Sequence, residues 1–207
     1  MASITREELE WLRSPEAIGK GVSAAEIIAY EELLYRREKL ELHIKTAFSG
    51  CRLGDGIGLL EADAWDMCVD PEKPKQAREK DEREDWQKLS RDDLYWCNSA
   101  LSFTDSLGYR FLLPAFMLAD LDGDIDELII IHLSLTKEDR LGKRSLLNSD
   151  QIRTIIEFLM LILDDSDSIS HHEAIAESLN VFWNPLLQQR TENTEQADAG
   201  NRATRGA

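Results

Sequence analysis

Residues 101–116 read LSFTDSLGYRFLLPAF, and the way this stretch folds decides the fold class. Two short apolar runs, Leu101–Phe103 and Tyr109–Leu113, are separated by turn formers from Asp105 to Gly108. That pattern predicts a β-hairpin over 101–113. Pro114 then suits the first position of a following helix, where its missing N–H has no intrahelical partner. Downstream, residues 128–135 read LIIIHLSL, a run of strand formers in which His132 is a packing residue. Pairing this strand with the hairpin gives a small antiparallel β-sheet.

Outside these two stretches the patterns are helical. Thr5 with Glu8, Ser23 with Glu26 and Ser170 with Glu173 fit the S/T-x-x-E capping box, Asn148 with Gln151 is a similar pair, and Ser90 with Asp93 starts another short helix. Ile27, Tyr30, Leu34, Leu40, Ile44 and Ala47 follow a 3.6-residue period until Gly50 stops it. Ile152, Ile155, Ile156, Leu159 and Ile162 mark a core helix near the C-terminal end. Charges of alternating sign along residues 73–89 suggest an exposed helix anchored by Trp86. The expectation is an α+β fold, predominantly helical, with about seven helices around the small sheet. Residues 1–187 are read as one globular domain with N-terminal helices over 5–49. Residues 188–207, with no apolar side chain larger than Ala beyond Gln188, are read as a disordered tail.

Charge narrows the function. The 207 residues carry 40 Asp and Glu against 24 Lys and Arg, a formal net charge of -16, so the surface repels phosphate; nucleic acids and anionic membranes are excluded as partners. No stretch reaches the ~18 apolar residues of a membrane span, and the N-terminus lacks the basic and apolar regions of a signal peptide, so a cytoplasmic location is expected. Cys51, Cys68 and Cys97 have neither CxxC spacing nor an even count, which suits reduced, half-buried thiols. No cofactor is implied. Gly54, Gly56 and Gly58 could suggest a phosphate loop, but a helix precedes them, no Lys follows, and Asp55 places a negative charge inside. A helix end followed by a tight turn accounts for them.

Two groups of carboxylates are candidate sites. Asp120, Asp122, Asp124, Asp126 and Glu127 fall within eight residues, and D-x-D-x-D is how an EF-hand begins. The sixth and twelfth positions are Ile125 and Ile131 instead of Gly and Glu, so no metal is assigned and the cluster reads as an acidic binding face for a basic partner. The alternative is a carboxylate site of Glu61, Asp66, Asp81 and Asp85, with Asp81 and Asp85 one helical turn apart, although the Glu-x-x-His companions of di-metal bundles are missing. His171 and His172 point about 100° apart on a helix and make a poor metal pair with Asp167. No Ser-His-Asp, Cys-His or Gly-x-Ser-x-Gly arrangement is present, so an enzyme is the lesser reading.

The succession LGDGIGLLEADAWD, DEREDW, LSFTDSLGYRFLLPAF, LLNSDQIRTIIEFL and ESLNVFW, spread over residues 40 to 183, resembles a family of uncharacterised bacterial proteins described only as a domain of unknown function. The resemblance implies a bacterial, single-domain, cytosolic protein and transfers no catalytic residues. The resulting expectation is an acidic protein-binding module, in its specific form an immunity-like or antitoxin-like inhibitor of a basic bacterial protein. The alternative is a carboxylate-based metal-dependent enzyme.

Overall fold

The computed structural model describes residues 5–67, 70, 72–123, 128–134, 139–164 and 171–193, with the backbone alone at 128 and 139–141. The elements in chain order are α1 (Arg6–Leu12), α2 (Pro15–Gly19), α3 (Ala24–Ala47), α4 (Leu59–Met67) and α5 (Glu72–Arg78). After a short 3-10 turn (Trp86–Lys88) come α6 (Arg91–Trp96), a second 3-10 turn (Ala100–Ser102), α7 (Ser106–Leu121), α8 (Leu128–Ser134), α9 (Asp139–Arg144), α10 (Ser149–Leu163) and α11 (His172–Ser178). A π-helical turn (Leu179–Trp183) continues α11 into helix over residues 184–193, of which 188–193 are the first part of the segment read as a tail; residues 194–207 lie outside the described residues.

The expected sheet is overturned: among the described residues there is no strand, and both segments assigned to it are helical. In residues 101–113 the apparent turn is a helix start. Asp105 is the N-cap of α7 and accepts the Gly108 N–H at 2.8 Å, and Pro114 lies inside the helix instead of opening one. A proline in a helix interior costs about 3 kcal/mol. Burial outweighs it, because Phe111, Leu112, Leu113, Phe116 and Met117 each contribute about 2 kcal/mol when removed from water. A strand would bury only alternate residues, whereas α7 buries thirteen of its sixteen. It is the central helix, apolar all round, packed among α3, α6, α8, α9 and both 3-10 turns.

The run at 128–134 is α8. Its buried residues Ile129, Ile130 and Leu133 stand at helical spacing while Ile131 faces out, and His132 is buried as packing requires. Seven residues that are nearly all apolar carry no usable periodicity, so strand and buried helix look alike in sequence.

The capping residues act as read. Ser23 with Glu26 and Asn148 with Gln151 are reciprocal boxes, and Thr5 and Ser90 each accept the N–H three residues on. Ser170 lies outside the described residues. Gly50, at φ 69°, takes the left-handed conformation that lets the chain leave α3. The charged run 73–89 is not one helix: α5 ends at Arg78, and the chain turns back so that Leu53 N–H donates to Arg83 O at 2.9 Å. Trp86 is the anchor expected of it, buried, with its indole N–H donating to Phe48 O at 2.9 Å. The core runs from α3 through α7 to α10 and α11.

Candidate functional site

Three loops, at 53–58, 79–85 and 103–105 just before α7, meet at the N-terminal end of α4. Asp81 is buried there and accepts N–H bonds from Leu60 (2.7 Å) and Glu61 (3.3 Å), so a residue twenty positions downstream caps α4. Burial, working against these two bonds, pushes the Asp81 carboxyl above its ordinary value. Asp105 Oδ1 accepts from Ile57 N at 3.1 Å as well as from Gly108 N, tying the start of α7 to the same loop. Arg78 donates to Glu61 Oε2 (2.7 Å), Asp55 O (2.8 Å) and Gly56 O (3.2 Å). Arg83 donates to Gly54 O and Gly56 O.

The glycines are there for close approach. A Cβ on Gly58 would sit 2.3 Å from the Asp81 carboxylate, one on Gly108 2.0 Å from Ile57 O, and one on Gly56 2.6 Å from Leu107 Cβ. Protein groups engage this loop. Two guanidinium groups take its carbonyl oxygens, Leu107 of α7 presses on Gly56, and Asp81 presses on Gly58.

The alternative carboxylates are each engaged, with Glu61 and Asp81 brought together at the start of α4. Glu61 is paired with Arg78, Asp81 caps α4, and Asp85 accepts Gln87 N–H at 3.1 Å as the cap of the 3-10 turn. Asp66 accepts the Ser99 hydroxyl at 2.7 Å. Asp81 and Asp85 do not share a helical face, since 79–85 is irregular. Among the described residues no three His, Cys, Asp or Glu side chains are arranged to hold a metal ion.

At the other end of α4 the surface changes character. Met67 is 76% and Trp96 77% exposed, and Trp65, Tyr95 and Phe103 are also exposed. The Ser99–Asp66 bond fastens the end of α4, between Trp65 and Met67 in the chain, to the turn that follows Tyr95 and Trp96, and these two rings meet edge to face with centroids 5.3 Å apart. Four carboxylates accompany them: Asp66, Asp92 and Asp93 on the surface and Asp63 partly covered. Burial and the neighbouring Asp66 raise the Asp63 carboxyl above its ordinary value. Cys97, beneath, is pushed up to about 12 by burial and by Asp63, Asp93 and Asp81, so it is a protonated, unreactive thiol at neutral pH.

A family model matches residues 36–187, from the middle of α3 through the π-helical turn, and all three knotted loops and the exposed aromatic residues lie inside it. The chain belongs to the Family of unknown function (DUF6714). No curated protein and no solved structure matches it. In this DUF6714 chain, α1, α2 and the first half of α3 lie outside the matched region. No helix among the described residues is long and apolar enough to cross a membrane.

The acidic cluster of the sequence is divided. Asp120, in the last turn of α7, is buried. Asp122 is held between the guanidinium groups of Arg37 and Arg91, while Asp124, Asp126 and Glu127 lie outside the described residues. Sequence reasoning passed over the residues around Trp96. Trp65, Tyr95 and Trp96 fit the apolar face of a short helix, and only packing reveals that this face is uncovered. It also missed Arg144, which is buried between the rings of Phe182 and Trp183 at 4.4 and 4.5 Å and donates to His132 O at 2.8 Å. A cation on aromatic faces fixes the π-helical turn against α8, and Trp183 N–H donates to Leu133 O at 3.0 Å alongside it.

Proposed function

We propose that this DUF6714 protein is an acidic protein-binding module and that its contact surface is the aromatic patch of Trp65, Met67, Tyr95, Trp96 and Phe103. The observation that carries this reading is the exposure of Trp96 and Met67 beside Asp63, Asp66, Asp92 and Asp93. Large apolar side chains held in water are costly and mark contact surfaces, and tryptophan and tyrosine dominate the energetics of such contacts. Aromatic faces bordered by carboxylates favour Arg and Lys side chains, which stack on the rings and pair with the acids. The net charge of -16 adds long-range steering toward a basic protein. An immunity-like or antitoxin-like inhibitor of a basic bacterial protein is the specific form of this reading.

The test compares the full chain with its Trp65→Ser/Trp96→Ser variant as baits in the native host, eluting with a salt gradient. A basic protein retained by the first, released by moderate salt and lost from the variant is the expected result. Equal capture by the variant, or capture of an acidic protein, overturns the assignment.

A further inference from the structure

The long helix α3 carries apolar side chains on two sides. Leu34, Leu40 and Ile44 face inward, yet Ile28, Tyr35 and Leu42 stand outside at 63%, 66% and 63% exposure. These three recur at intervals of seven residues, which is only about 20° short of two full turns, so they form one nearly straight stripe about 21 Å long. Seven residues is the interval at which one of the two contact positions recurs in helices that pack lengthwise against another helix.

The flanks of the stripe say what that other helix is. On one side Glu31 and Glu38 are already neutralised by α1, through Arg13 (2.6 Å) and Arg6 (2.6 Å). On the other side stand Glu32 and Lys39, both exposed, with no ion pair to either among the described residues. When two copies of α3 run antiparallel about a two-fold axis through Tyr35, Ile28 meets Leu42 of the second copy and Tyr35 meets its equivalent. Equivalent flanks then face each other, so Glu32 lies against Lys39 of the second copy and Lys39 against its Glu32. On the other flank Glu31 faces Glu38, a like-charge contact that Arg13 and Arg6 have already compensated. The stripe is thus complementary to itself in shape and in charge, as a two-fold interface must be.

We infer that this chain associates with a second copy of itself through an antiparallel α3–α3 contact centred on Tyr35. The interface spans residues 28–42, of which 28–35 precede the family-matched region.

Sedimentation equilibrium on the full chain tests this. The expected result is a concentration-dependent dimer. Tyr35→Glu and Leu42→Glu should each raise its dissociation constant at least about tenfold, with circular dichroism unchanged, and melting unchanged at concentrations where the chain is monomeric, because both side chains are outside. Glu32→Lys and Lys39→Glu should each weaken the dimer, and the two together should restore it. A chain that stays monomeric at all concentrations, a dimer indifferent to Tyr35→Glu and Leu42→Glu, or a charge swap that fails to restore association overturns the inference.

Discussion

The two ends of α4 invert the usual arrangement in opposite ways. At its start, Glu61 and Asp81 are carboxylates inside the protein; at its end, Trp65 and Met67 are large apolar side chains in water. The buried acids are stable because each has fixed donors, Arg78 for Glu61 and the amides of α4 for Asp81. The exposed apolar residues have no such compensation within the described structure. Buried polarity here explains the fold, and exposed apolarity points to function.

The sharpest way to break this contrast is through the glycines. Gly108→Ala drives a Cβ into the Ile57 carbonyl, and because that obstacle is backbone the expected loss is about 3 kcal/mol in urea unfolding. A loss below about 1 kcal/mol would show the knot to be pliable, and the contrast with the other end of the helix would weaken.

Next in size, Asp81→Ala removes the cap of α4 and should cost about 2 kcal/mol. Gly58→Ala should cost a similar amount, since its Cβ meets the same carboxylate. Combined, the two should cost less than their sum, because removing the Asp81 carboxylate makes room for the methyl group. Strict additivity would mean that the two residues do not press on each other.

At the far end, Trp65→Ser and Trp96→Ser should each change stability by no more than about 0.5 kcal/mol, while abolishing partner capture. A large stability loss would assign these rings to the core.

The smallest effect belongs to Asp63. Its folded carboxyl titrates above the ordinary 3.8, so its contribution to stability is fully present below that pH and is lost as pH rises through the folded value. Asp63→Asn, always neutral, should therefore be more stable than the wild type at pH 7 by about 0.5 kcal/mol or less, with the difference vanishing below pH 3.8. A variant less stable at pH 7 would give the charged carboxylate a structural partner.

What was legible in the residues was local. Ser23, Ser90 and Asn148 announced helix starts because a side-chain cap needs only its own next three residues. Gly50 announced the end of α3 and Trp86 an anchor, and the resemblance to a domain of unknown function agrees with the family match over residues 36–187. Residues 128–134 misled because a nearly uniform apolar segment erases the periodicity that separates strand from helix, and residues 101–113 because Asp105 caps a helix as readily as it opens a turn. Burial on all sides, a property of the neighbours of α7 and not of α7 itself, settled the matter.

Composition and spacing alone determined that this chain is acidic and folds largely as capped helices. Only the tertiary structure decided that Glu61, Asp81 and the glycines knot three distant loops together. It alone showed that Asp122 is clamped by Arg37 and Arg91, and that Trp96 and the α3 stripe stand in water. The physical reason is that a cap or a charge is a property of a few consecutive residues, whereas burial and pairing depend on which distant segments arrive beside them.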